Sequence, residues 1–420
     1  MSLIIKNAVI IDGQTGPAAV KQDLQIEDGK VKKIGVGLDG KESIDVNGAY
    51  VTAGLFDNWS HFCEPGLEHK EDINSGLSAA MQGGYTDVVC LPNTSPAVDS
   101  KSQLNFLLKS SSDYAVKLYP YACVSQGGRN EVISEMHDLH QNGAIAFTGG
   151  VHPITNAELL MKSLQYASSF GGLIVNRPLN LDLSGNGQMH EGEVSTRLGM
   201  KGVPSMAEKI AIERDLSILA YAGGKLHLSG ISTKEGVSLI RKAKSEGLGV
   251  TCDVPIHNLI YTENDLDSYN SNFKLDPPLR SFDDQEALIE GILDDTIDCI
   301  ASYHIPQDIE SKELEFNLAD CGMISLQTVI PQLLMLKKRI PLQKLIHKIS
   351  NAARAIYGRP EVKFEEGAEA RFTIIDPTRP WVFNAVSNQS KAINSSLFGK
   401  DLLGKATGLV IGNQYISLVE

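Results

Sequence analysis

His61 follows the apolar run "AYVTAGLF" in the stretch "FDNWSHFCEPG", with Trp59 two residues before it and Cys63 two after. Alternate residues of a strand share a face, so these three side chains project together. An imidazole at a strand end suits metal binding or proton transfer, and a thiol beside it suits nucleophilic attack. A catalytic zinc takes about three protein ligands, however, and His61 supplies one. No cationic partner that would keep Cys63 as a thiolate is visible in the sequence, so nucleophilic use of it is not expected. Tyr303 and His304 close another apolar run, "IDCIASYH". Asp253 and His257 lie four apart in "DVPIH" with Pro255 between them, a weak spacing for a metal pair. No nucleophile-elbow motif is present.

The elements that must position these residues are legible as a rhythm. Eight apolar runs each lead into a polar loop: "TAGLFDNW", "YTDVVCLPN", "VKLYPYACV", "GAIAFTGG", "GGLIVNRPL", "GKLHLSGIS", "LGVTCDVPI" and "IDCIASYH". Between them fall helical stretches such as "KEDINSGLSAAMQGG" and "SMAEKIAIERDLSILAYAGG", several ending in glycine as a helix C-terminus should. Eight alternating β/α units imply parallel strands with crossover helices, and closure into a (β/α)8 TIM-type barrel is the common solution. Short strands with Asp-Gly and Asn-Gly turns precede the barrel, and strands return after it. Neither terminal piece holds a core alone, so the two pair into one β-sandwich. The expected division is 1–52 with 363–420 for the sandwich and 53–362 for the barrel. The Gly-, Asn- and Ser-rich stretch from Arg177 to Pro204 reads as a long functional loop at the barrel mouth.

With 420 residues, 42% of them hydrophobic, the chain can fill two such units. A formal charge of −13 argues against nucleic acid or an anionic membrane as partner. Six scattered cysteines without a CxxC pair read as reduced thiols, and no signal peptide or long apolar span is evident, so a cytoplasmic location is expected.

Four stretches carry a family resemblance: "EPGLEHKEDINSGLSAAMQGGYTDVVCLPNTSPAVD", "MHEGEVSTRLGMKGVPSMAE", "DPPLRSFDDQEAL" and "NAARAIYG". They resemble dihydroorotases of the amidohydrolase superfamily, zinc barrels that cyclise carbamoyl-aspartate to dihydroorotate in pyrimidine synthesis. The likeness spans nearly the whole chain. It implies ligands at the C-terminal ends of the barrel strands, and this sequence departs from that pattern at each of them. For a D-x-H-x-H-x-R motif it has Asp57, Trp59, His61 and Cys63, losing one histidine and the arginine that grips the substrate carboxylate. The fourth strand offers Gly149 and Gly150 where a carboxylated lysine or an aspartate belongs, the fifth Asn176 and the sixth Gly230 for histidines, and the eighth Tyr303 for the aspartate that is both ligand and base. His227, three residues before Gly230, is expected by strand parity to face the covering helices as a structural histidine.

Of the positions the resemblance assigns to the substrate carboxylate, Asn93 and His304 remain, while Asp276 replaces an asparagine and adds a charge that would repel an anion. The expectations follow. No residue is assigned a catalytic role and no metal or cofactor is expected, although the family uses zinc. Trp59 and Tyr303 fill the volume the metal left, His61 is a relic, and Asn93, Gly149, Gly150, Asn176, Gly230, Asp276 and His304 border a relic pocket. The resemblance implies a catalytically inactive companion of aspartate transcarbamoylase, with a homodimer also open. An active cyclic amidohydrolase with an unorthodox site, or a small-molecule binder using the relic pocket, are the alternatives.

Overall fold

The computed structural model describes residues 2–13, 20–40 and 42–419. All eight expected barrel strands form: β1 (Leu55–Ser60), β2 (Tyr85–Cys90), β3 (Lys117–Pro120, continued by Ala122–Cys123), β4 (Phe147–Thr148), β5 (Ile174–Asn176), β6 (Leu226–Leu228), β7 (Val250–Pro255) and β8 (Cys299–Ala301). Every pairing among them is parallel, in sequence order. The ring closes between β8 and β1 through a single parallel bridge, Ser60 to His304. The fold is a (β/α)8 barrel with a sheet domain built from both termini.

Helices cover the strands where the sequence provides caps. Asp72 accepts from the Ser75 backbone N–H at the start of Ile73–Gln82, and Asn156, Thr233 and Ser281 do the same for Ala157–Ser168, Lys234–Ser245 and Phe282–Leu293. Their apolar faces pack on outward strand residues such as Leu226 and Leu228. The stretch from Arg177 to Pro204 is more ordered than a long loop. It carries two short helices, Leu181–Ser184 and Glu193–Leu198, and a small parallel pair, Met189–His190 with Gly202–Val203.

In the terminal sheet Ser2–Ile11 pairs with Gln22–Glu27, Glu42–Asp45 and Tyr50–Ala53, and the last of these pairs with Arg371–Val382. Asp28 and Gly29 turn one hairpin with φ of 51° and 75°, as an Asp-Gly turn requires. Leu24 and Val31 from one end of the sheet share a core with Phe372 and Val410 from the other, which makes it a sandwich. Ile375, Ala406 and Leu409 join the barrel's own core, welding the two units together. We propose the division 1–52 with 363–420 and 53–362; residues 1, 14–19, 41 and 420 of those ranges lie outside the described residues. Among the described residues no helix is long and apolar enough to cross a membrane.

Candidate functional site at the barrel mouth

The seam between β1 and β8 is fixed by Asp57, a fully buried carboxylate. It accepts from the Ser302 backbone N–H (2.7 Å) and hydroxyl (2.8 Å) and from the Ser60 hydroxyl (2.5 Å). Burial raises its pKa, and these bonds oppose the rise. On this seam Trp59 stacks on Tyr303, ring centroids 5.2 Å apart and planes 14° from parallel, with Tyr121 edge-on to Trp59 at 6.3 Å. The Tyr303 hydroxyl shares a 3.0 Å hydrogen bond with Ser229, and burial holds its pKa well above the ordinary value. A phenol so placed stays protonated at neutral pH and does not serve as a base.

The neighbouring strand ends are equally committed. Gly230 has φ +78°, and a Cβ there would lie 2.1 Å from the Tyr303 hydroxyl oxygen. Gly150 has φ +65°, with the Asn93 Oδ1 1.7 Å from its virtual Cβ. Asn93 clamps this turn, donating to the Gly149 carbonyl (3.0 Å) and accepting from the Val151 N–H (2.9 Å), so both ends of its amide are in use. Asn176 is likewise saturated: it donates to Asp215 (2.6 Å) and accepts from the Ile154 N–H (2.8 Å). Burial lifts Asp215 to about 6, and Arg214 holds it at 2.6 Å.

His61 is buried, donates through Nε2 to the Asn93 carbonyl at 3.0 Å, and has Nδ1 3.5 Å from the Cys63 sulfur. Burial depresses its pKa to about 4, leaving it neutral at pH 7, and pushes the Cys63 thiol far up, which excludes a resting thiolate. His304 is enclosed rather than facing the mouth. Its Nδ1 accepts from the Ser325 N–H (3.2 Å) and its Nε2 lies 3.5 Å from Glu71, whose carboxylate also takes the Ser75 and Ser390 hydroxyls.

Two expectations need correction on geometry. His227 does not face the covering helices. It sits in the barrel interior, 2.9 Å from both Asp253 and Thr251 and ring-to-ring with Tyr357 at 6.2 Å. Strand parity fails because β6 ends at Leu228 and Gly230 already lies in a left-handed turn. Asp253 is consumed by His227, the Asn58 amide (2.7 Å) and the Gly230 N–H (2.7 Å), so it forms no metal pair with His257. Asp276 is not an unopposed charge: Arg177 meets it at 2.5 Å and also donates to the Val151 carbonyl at 3.0 Å.

A cavity of about 550 Å³ remains at the mouth. Of the sequence-predicted residues Trp59, His61, Asn93 and Asp276 line it, whereas Cys63, Gly149, Gly150, Asn176, Gly230, Tyr303 and His304 do not. Arg177, Lys70 and His152 line it and were not singled out from the sequence. Arg177 directly follows Asn176, which is the signal that would have found it.

The fold matches solved cyclic-amide hydrolases. An L-hydantoinase (dihydropyrimidinase) from Arthrobacter aurescens superposes with a TM-score of 0.87 at 22% identity, over 99% of this chain and 96% of that one. A D-hydantoinase gives 0.83 at 20% identity, over 99% and 95%. The fold is therefore the one these hydantoinases have. A family model described as dihydro-orotase-like matches residues 48–236. A dihydroorotase of Trichlorobacter lovleyi is 38% identical over 99% of each chain, and one of Geobacter metallireducens is 37% identical over 99% of each. The chain belongs to the dihydroorotase family.

That membership overturns the expectation that no cofactor is involved: full-length relatives are dihydroorotases, a family of zinc barrels, so a metal is what the family implies. The residues at the family's ligand positions nevertheless do not fit it. Trp59 and Tyr303 occupy the space with stacked rings, and among the described residues no group of three or more His, Cys, Asp or Glu comes together to hold an ion. A metal bound by this chain needs a different set of ligands from the five strand ends.

Proposed function

We propose that this protein is a member of the dihydroorotase family that does not interconvert carbamoyl-aspartate and dihydroorotate at the usual strand ends, and that it serves pyrimidine synthesis as a structural or regulatory companion. The observation that supports this most directly is the Trp59–Tyr303 stack, with the Tyr303 hydroxyl set where a side chain at position 230 would have to pass. At the family's strand ends Cys63 and Tyr303 remain protonated and Asp57 and Asp253 are enclosed in hydrogen bonds, so none of these is free to act as a general base, and the neutral imidazoles His61 and His152 are what the cavity offers instead. Aspartate transcarbamoylase as the partner, and self-association as a homodimer, extend this reading from the resemblance alone.

The comparisons by themselves favour a second reading, an active cyclic amidohydrolase, because relatives matched over their whole length carry the name dihydroorotase. The open cavity beside Trp59 leaves room for a small cyclic amide. One experiment separates the two: metal content by elemental analysis, with dihydroorotate hydrolysis measured on zinc-loaded protein. Turnover with stoichiometric metal sinks the companion reading, and its absence in folded, zinc-supplemented protein sinks the enzyme reading. Co-elution with a transcarbamoylase on size exclusion tests the partner, and the mass of the chain alone tests the homodimer.

A further inference from the structure

His257 sits on the short helix Ile256–Ile260 that follows β7. It is 2% exposed, and neither of its ring nitrogens has a hydrogen-bond partner among the described residues. Asn258 beside it, also 2% exposed, gives its side-chain N–H to the Pro278 carbonyl at 3.0 Å and leaves Oδ1 without a donor. Both residues line a niche of about 10 Å³, roughly the room that one water-sized sphere needs. Its walls include Tyr303 and share Leu275, Asp276, Ile305 and Gly322 with the mouth cavity, which it therefore adjoins.

Burial lowers the His257 pKa to about 3, so at neutral pH the ring carries one N–H donor and one bare acceptor. Buried polar groups are costly to leave unpaired, and folded proteins pair nearly all of them with protein or with an ordered guest. Charge decides what the guest is. Each cation lining the mouth already faces a carboxylate: Arg177 meets Asp276, and Lys70 meets Asp320 at 3.2 Å. Burial keeps His61 and His152 below their ordinary pKa, so they add no charge at neutral pH. An anion entering here finds no unpaired cation and meets Asp276 at the niche wall. An uncharged oxygen is not repelled and accepts from the imidazole N–H.

We propose that the niche seats one uncharged oxygen, a water's in the free protein and the carbonyl or hydroxyl oxygen of a neutral small molecule when the mouth is occupied, with His257 as its hydrogen-bond partner. The mouth thereby takes uncharged ligands in preference to anions. Binding does not depend on turnover, so the assignment stands apart from both readings of the barrel's activity.

Isothermal titration calorimetry on the full chain tests it with two probes that share a ring: dihydrouracil, which is uncharged, and dihydroorotate, the same ring bearing a carboxylate. Saturable binding of dihydrouracil is expected, with dihydroorotate weaker by about tenfold or more. H257F keeps a ring and removes both nitrogens, and should weaken dihydrouracil by about tenfold or more. The imidazole nitrogen NMR resonances of His257 in the unaltered chain give a second readout that needs no variant, and they should move on saturation with dihydrouracil. A crystal of the free protein should hold one water within hydrogen-bond distance of His257. No saturable heat from dihydrouracil, dihydroorotate binding as tightly, binding indifferent to H257F, unmoved resonances, or a dry niche overturns the proposal.

Discussion

At the mouth of the barrel Trp59 lies on Tyr303, Asn93 and Asn176 spend both ends of their amides on neighbouring backbone and side chains, and Arg177 and Asp276 neutralise one another. At the base, Arg354 and Arg371 neutralise Asp87, while Arg359 and Lys117 are left facing a tyrosine ring. At the mouth these polar groups are paired with one another across strand ends, whereas at the base a buried carboxylate is clamped by two guanidinium groups where barrels ordinarily place stability. The two ends use the same ion-pair chemistry at very different depths, since Asp276 is partly exposed and Asp87 is not.

The contrast can be broken at either end. The largest effect is expected from Asp87→Asn, which leaves two guanidinium groups without their carboxylate. Destabilisation of about 3–5 kcal/mol in urea unfolding is expected, and a change under about 1 kcal/mol would show that the base is solvated rather than tightly ion-paired. Next comes Gly230→Ala at the mouth, where left-handed backbone and the Tyr303 hydroxyl both oppose a methyl group. About 1–3 kcal/mol should be lost, and less in a Tyr303→Phe background, so a double-mutant cycle reports the clash as coupling.

Acid gives a third test, of the mouth and its surroundings, in which the effect of any one histidine is small. His61 and His190 titrate near 4 and His257 near 3 in the folded chain, all lowered by burial from 6.5. As pH falls below 6.5 the unfolded chain takes up protons that the folded chain refuses. Stability is therefore complete above about 6.5 and is lost towards pH 4, by up to about 1.4 kcal/mol per pH unit for each histidine. Asp215, raised to about 6, works in the opposite direction as pH falls and offsets roughly one of the three. Urea midpoints between pH 7 and 5 check the sign, and His61→Gln should flatten the slope. The smallest effect is that of Lys117→Gln, expected to alter stability by no more than about 0.5 kcal/mol, since its side chain is exposed.

The barrel was legible because its signals are local: each apolar run made a strand, and the turns Asp28-Gly29 and Asn47-Gly48 took the positive φ their residue types favour. The substitutions at the strand ends were legible for the same reason, since each concerns one residue at one place. What escaped were partnerships across long separations. Asp276 looked like an unopposed charge because Arg177 lies 99 residues away, and His304 looked available because its neighbour Glu71 belongs to the far end of the chain. His227 was misplaced by a local rule applied past the end of its strand, where Gly230 had already turned the backbone. Lys117, Arg354, Arg359 and Arg371 carry no signal in the sequence, because they come together around Tyr119 only on folding.

The contact between Gly230 and Tyr303 ties two distant positions together. With the hydroxyl 2.1 Å from a Cβ at 230, any larger residue there must displace Tyr303 from its stack on Trp59 or be matched by a change at 303. The ends of β6 and β8 are therefore expected to tolerate substitution as a pair better than one at a time.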